Sequence, residues 1–174
     1  MQQTAPPSEP GRPATDRQTL RDLSAGIAAT CVGFNLRRAS RAVAQHFDRA
    51  LAPLGLRSTQ FTLLAAVALA GPVGTSQLAH KLVMDRTTLT RNVRLLRDAG
   101  LIEIQPGRGG REVHYTLSDE GRDALAHAIP VWRAAQDSIV QAFGEDHWPT
   151  MVGELGRLVN GTLALPANTT PQNV

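Results

Sequence analysis

Between Thr75 and Leu117 the chain changes its hydrophobic period, and that change leaves few folds open. "TSQLAHKL" and "RTTLTRNVRLLRD" carry apolar residues at helical spacing, while "LIEIQ" and "REVHYTL" alternate as strands do. Only "VMD" separates the two helical segments, and only "PGRGG" separates the two strands. Two short helices joined by a tight turn, followed at once by a glycine-tipped hairpin, must fold as a local unit.

The second of these helices shows what the unit is for. Asp85 is the expected N-cap and Gly100 the expected C′ residue. Leu89, Val93 and Leu96 recur at i, i+4, i+7 and should face a core. Thr87, Thr90, Arg91, Arg94 and Arg97 occupy the opposite arc, with Arg86 at its edge. Leu95 fits neither arc and is expected to pack on the following strand. A merely solvated helix would interleave Glu with Lys at i, i+4. Here Asp98 is the single acid beyond the cap.

Charge supports the same reading. The whole chain carries only +3. Residues 75–111 alone hold seven Lys or Arg (81, 86, 91, 94, 97, 108, 111) against three acids (85, 98, 103), a local excess of four. A concentrated basic patch suits nucleic acid. Arginine's planar fork matches guanine O6 and N7 or a phosphate, and threonine can donate to phosphate or touch a thymine methyl. Thr87, Thr90, Arg91 and Arg94 are therefore expected in a DNA major groove. Arg86 and Arg97 suit phosphate or structural pairing. Ser76 and Gln77, at the start of the preceding helix, would contact backbone phosphate. At the hairpin tip, Arg108 and Arg111 would track the minor groove or its phosphates. A helix-turn-helix with such a wing is a winged helix. The competing readings are a solvated basic helix and a winged helix that docks protein instead of DNA.

The remainder of the chain divides by composition. Residues 1–18 and 165–174 are poor in apolar residues and are expected to be disordered tails. Residues 20–51 read as one long proline-free helix, with Val32, Leu36, Ala39, Val43, Phe47 and Ala50 along one stripe. "RSTQFTLLAAVALAGP" reads as a helix capped near Ser58 and stopped by Gly71-Pro72. Thr75 or Ser76 should cap the short helix after it. Ser118 should cap a helix running to about Phe143, bent but not ended by Pro130. A last helix is expected over 146–160. The fold class is thus mostly α with a small β-hairpin wing.

Several functions are excluded or disfavoured. The one cysteine, Cys31, permits no internal disulfide and fits a reducing compartment. No signal peptide or membrane span is visible, so a cytoplasmic location is expected. Histidines 46, 80, 114, 127 and 147 form no i,i+3 or i,i+4 pair, and no metal site or cofactor is expected. No phosphate loop, paired catalytic acids or nucleophile elbow appears, so the chain is not expected to be an enzyme.

From about Ala25 to Asn160 the chain resembles the MarR-type transcriptional regulators. The segments that carry the resemblance are "FNLRRASRAV", "LGLRSTQFTLL", "TSQLAHKLVMDRTTLTRNVRLLRDAGLIE" and "TLSDEGRDAL". The resemblance implies a homodimer in which the terminal helices interlock about a two-fold axis. Residues 19–54 and 119–164 would form that dimerisation region, and residues 55–118 the winged DNA-binding domain. It implies a repressor acting on double-stranded DNA at a pseudo-palindromic operator. Two departures stand out. Gly109-Gly110-Arg111 replaces an Asp-x-Arg often found in the family's wing. Val83 stands where many helix-turn-helix turns have glycine; because a β-branched residue resists positive φ, a different turn geometry is expected.

Two sensing readings accompany the resemblance. Cys31 lies where the family's organic-hydroperoxide sensors carry a reactive thiol, so a redox-sensing regulator is one alternative. Cys31, Phe34, Arg38 and Gln45 also share a helix face that would suit a small aromatic acid effector, with Arg38 as the fork and Phe34 or Trp132 as the wall.

Overall fold

The expected first helix is in fact two. The computed structural model describes residues 16–107 and 112–166. Helix α1 spans Arg17–Thr30 and α2 spans Val32–Leu51, with Cys31 between them in extended conformation (ψ 113°). Thr30 Oγ1 donates back to Gly26 O at 2.9 Å, a bond that competes with continued helix. Cys31 N–H still closes α1 onto Ile27 O. Its Sγ accepts from Phe34 N–H at 3.4 Å, in the manner of a cap on α2. Neither glycine nor proline marks this break, so the apolar periodicity runs through it.

By internal contacts the chain divides into two units, between Val43 and Ala44. The first contains α1 and the start of α2; α1 has no buried residue. The second contains the rest, including the main core.

In the second unit, α2 ends in a 3₁₀ turn, Ala52–Leu54, closed by Gly55 at φ 69°. Helix α3 follows over Ser58–Ala70. Ser58 is not its cap, as the sequence suggested. Instead Gln60 Oε1 accepts from Arg57 N–H at 2.9 Å, and Asp48 Oδ1 from Ser58 N–H at 2.7 Å. The acceptor thus comes from α2, ten residues away. Strand β1 (Val73–Gly74) leads directly into α4 (Thr75–Lys81), then α5 (Arg86–Asp98). The N-cap of α4 is Gly74, without a side-chain bond, rather than Thr75 or Ser76. Strands β2 (Ile102–Pro106) and β3 (Val113–Leu117) form the wing. Helices α6 (Asp119–Phe143) and α7 (Trp148–Leu163) complete the chain. Pro130 lies inside α6 and does not end it.

The wing is part of a three-stranded antiparallel sheet of order β1-β3-β2. β1 pairs Val73 with Tyr115 and Gly74 with His114. A two-residue strand carries no period of its own, so only the hairpin was expected. The core beneath the sheet is aliphatic. Leu51, Leu64, Val67, Val73, Leu78, Leu89, Val93 and Leu96 are fully buried. Phe61 stacks on Trp132 of α6, ring centroids 5.8 Å apart.

Ser118 ties three elements together. Its Oγ donates to Gly100 O at 2.6 Å and accepts from Gly121 N–H at 2.9 Å, capping α6 while satisfying the end of α5. Gly121 is needed here: a Cβ would collide with the Leu101 carbonyl.

The turn between α4 and α5 overturns the expectation about Val83. Val83 adopts φ 50°, the left-handed conformation that glycine normally supplies. Its N–H donates to His80 O at 3.2 Å, and Met84 N–H donates to Ala79 O at 2.9 Å. This is the Schellman pattern of a helix C-terminus. Burial of Leu78 and Leu89 on either side holds the turn in place against the steric cost at Val83. Val83 is itself 58% exposed, so little packing would be lost with its side chain. Val83→Gly should therefore stabilise the fold by about 1 kcal/mol, relief of the clash between Cβ and carbonyl oxygen in the left-handed region exceeding the extra freedom given to the unfolded chain. Urea denaturation at constant m-value checks this; a lower midpoint would show that the valine is not strained.

Candidate nucleic-acid interface

Helix α5 presents its two faces as its sequence divides them. Leu89, Val93 and Leu96 are at most 1% exposed and anchor the helix to the core. Arg86, Thr87, Arg91 and Arg94 are exposed, and Thr90 is half-buried. These five and Leu95 line one shallow concavity along the helix. Leu95 does not pack on the following strand: it is 54% exposed. No arc assigned from the sequence included it, because an apolar side chain in a polar arc was read as a packing residue.

Arg97 is held by Asp98, with Nη2 and Nε donating to Oδ1 at 2.6 and 2.9 Å. That pairing takes up the one acid beyond the cap. Arg86 Nη2 donates to Ser76 Oγ at 2.8 Å, linking α5 to the exposed start of α4. Thr90 Oγ1 donates to Arg86 O at 2.7 Å, which leaves its oxygen free only to accept a further hydrogen bond. The ion pairs among the described residues involve neither Arg91 nor Arg94. Their guanidinium charge is available.

Ser76 and Gln77 are exposed on the first turn of α4. Ser76 shares a cleft with Thr75, Arg86, Thr90, Glu112 and Val113, where α4, α5 and the wing strand meet. Thr75 is fixed by Tyr115, whose hydroxyl lies 2.8 Å from Thr75 Oγ1. Tyr115 is 2% exposed, and through this part-buried bond it pins the wing strand to the start of α4. Arg108 and Arg111 lie outside the described residues.

The residues considered for an effector fall in different units. Cys31, Phe34 and Arg38 belong to the first, all exposed; Trp132 belongs to the second, stacked on Phe61. Among the described residues no group of three or more His, Cys, Asp or Glu could hold a metal ion. No described helix is long and apolar enough to cross a membrane.

Helix-turn-helix, three-stranded sheet and flanking helices define a winged-helix protein. Comparison with known proteins extends this. Residues 54–112 match the model of the MarR family. The transcriptional regulator MosR of M. tuberculosis, crystallised in complex with DNA, is 36% identical; the alignment covers 78% of this chain and 98% of MosR, with a TM-score of 0.72. A probable transcriptional regulator from Pseudomonas aeruginosa is 28% identical over 75% of this chain and 98% of its own, TM-score 0.69. A mutant MarR from E. coli complexed with operator DNA, 19% identical over 76% and 96%, shares the fold at TM-score 0.70. No curated protein sequence matches significantly. The chain belongs to the MarR family of winged-helix transcriptional regulators.

The start of α5 carries a titratable cap. Asp85 Oδ1 accepts from Thr88 N–H at 2.8 Å. Hydrogen bonds from Thr88, its side chain first and then its backbone, hold the Asp85 carboxyl below its ordinary value. A depressed carboxylate stabilises the fold above its unfolded pKa, and that contribution fades as pH falls through the folded value. Asp85→Ala should accordingly lower Tm at pH 7, with the gap to wild type closing as pH drops below the usual carboxylate range. Thermal melts across that range check this; a gap independent of pH would place the effect in helix propensity rather than in the charged cap.

Proposed function

We propose that this chain is a homodimeric, sequence-specific regulator that binds double-stranded DNA, and that it acts as a repressor on a pseudo-palindromic operator. The observation that carries the reading is the outward face of α5. Thr87, Arg91 and Arg94 stand exposed, the two guanidinium groups in no ion pair among the described residues, on a helix locked to the core by Leu89, Val93 and Leu96. A helix held to the core, with Arg97 taken up by Asp98 and two guanidinium forks outside the ion pairs of the described residues, is suited to reading base edges. Ser76 and Gln77 at the start of α4 suit phosphate, and Arg86, bonded to Ser76, bridges the two roles. Arg108 and Arg111 would complete the contact from the wing. MosR, 36% identical, has been crystallised with DNA, which supports the same partner here.

The dimer reading rests on uncovered apolar surface. Leu20, Leu23 and Ile27 on α1 are 51–60% exposed. On α7, Val152, Leu155, Leu158, Val159 and Leu163 are 38–58% exposed, and no residue of that helix is buried. Rows of exposed leucine and valine on both terminal helices are not sustainable for a soluble monomer. A second copy, using residues 19–54 and 119–164, covers them by an isologous contact. Half-sites are then about one helical turn, ~10 bp, apart. Sedimentation or light scattering should return twice the chain mass of 18.7 kDa; a stable monomer at micromolar concentration overturns the reading.

Selection from a random duplex pool identifies the operator and its symmetry. On that operator Arg91→Ala should cost about 1–3 kcal/mol and relax base choice at one position per half-site. Wild-type affinity should also fall steeply with salt, as displaced counterions require. Binding that is absent at low salt would favour the protein-docking alternative.

A further inference from the structure

We infer that Leu95 is a specificity residue, one that reads a thymine C5-methyl group in each half-site. The inference rests on the DNA-binding reading above and goes beyond it by assigning a base.

An isolated exposed leucine is ordinary on a protein surface. The setting of Leu95 is not. The helix already has its three core anchors, and all are at most 1% exposed. Leu95 is 54% exposed and adds nothing to that core contact. Helix propensity does not call for it either, since Arg, Lys, Gln and Glu serve nearly as well on a solvated face. Its position is in line with Thr87 and Arg91, at i, i+4 and i+8, the ridge of α5 farthest from the core. It lines the same concavity as Arg86, Thr87, Thr90, Arg91 and Arg94. No acid is among the residues lining that concavity, and Asp98, one turn further on, is engaged by Arg97.

The chemistry of the opposing surface follows from this. Arg91 and Arg94 draw a polyanion to the concavity, and an arginine fork selects guanine. A branched aliphatic side chain beside them has no hydrogen bond to give. In a major groove the one apolar feature on a base edge is the thymine methyl. Leucine next to a cytosine amino group or a guanine carbonyl would desolvate it without return. Thr87 and Leu95 are eight residues apart, about 12 Å along the helix, no more than about four base-pair steps at ~3.4 Å each. Arg91 lies between them. Each half-site should therefore contain a guanine met by Arg91 and, within about two steps on the Leu95 side, a thymine.

The test removes one methyl from the DNA and the isobutyl group from the protein. With operators selected from a random pool, each thymine is replaced in turn by deoxyuridine, which keeps every hydrogen bond and loses only the methyl. Affinity is measured by fluorescence anisotropy for wild type and Leu95→Ala. At one thymine per half-site wild type should lose about fourfold, the worth of one buried methyl, whereas Leu95→Ala should bind both duplexes alike. At other positions both proteins should respond equally. Equal losses for the two proteins at every thymine, or operators without thymine in the expected place, would overturn the assignment while leaving DNA binding intact. Failure to select any duplex would instead overturn the DNA-binding reading, and this inference with it. A change in oligomeric mass on Leu95→Ala would place the residue at a protein contact and also overturn it. Because Leu95 is outside the core, the variant is expected to melt as wild type does.

Discussion

Everything at the candidate interface depends on how firmly one side of α5 is held. Leu89, Val93 and Leu96 are sunk into an aliphatic core shared with Leu64, Val67 and Leu78. Three large side chains at i, i+4, i+7 fix the rotation of a helix about its own axis. Once rotation is fixed, Thr87, Arg91, Arg94 and Leu95 have no choice of direction. Both ends are fixed as well. Asp85 caps the start, and Gly100, at φ 75°, closes the end with its N–H on Arg97 O and Leu101 N–H on Leu96 O. Ser118 then binds the Gly100 carbonyl to the head of α6. The exposed face gains rigidity that its own polar residues do not supply, which is what a base-reading surface requires.

How far this was visible in the residues alone depends on the range of the forces involved. The helix-turn-helix and wing were legible, because helical and alternating periods and the Asp85, Ser118 and Gly100 caps are local signals. The inward and outward faces of α5 were legible for the same reason. Features decided at a distance were not. Asp48 supplies the α3 acceptor from another helix, so Ser58 was mistaken for the cap. Tyr115 claims the Thr75 hydroxyl from the wing strand, leaving Gly74 to begin α4. β1 exists only because β3 passes beside it.

Three misreadings have other causes. At Cys31 the chain departs from helix for one residue while its apolar stripe continues, and periodicity cannot register a single extended residue. At Val83 local preference pointed one way and the surroundings the other. The core on both sides and the paired carbonyls of Ala79 and His80 impose a positive φ that valine disfavours. Leu95 was misplaced by an assumption rather than a force: apolar residues were presumed to seek the interior. Its exposure carries more information than its burial would have done.

The placement of β3 at the centre of the sheet has a mechanical consequence. On one edge it pairs with β2 through the wing; on the other it pairs with β1, which runs without a linking residue into α4. The hydroxyl bond between Tyr115 and Thr75 ties that junction. A load applied to the hairpin is therefore delivered straight to the first helix of the pair, instead of being absorbed in a loop. Hairpin and α4 are thus coupled through one strand, and a tilt of either is passed on to the other.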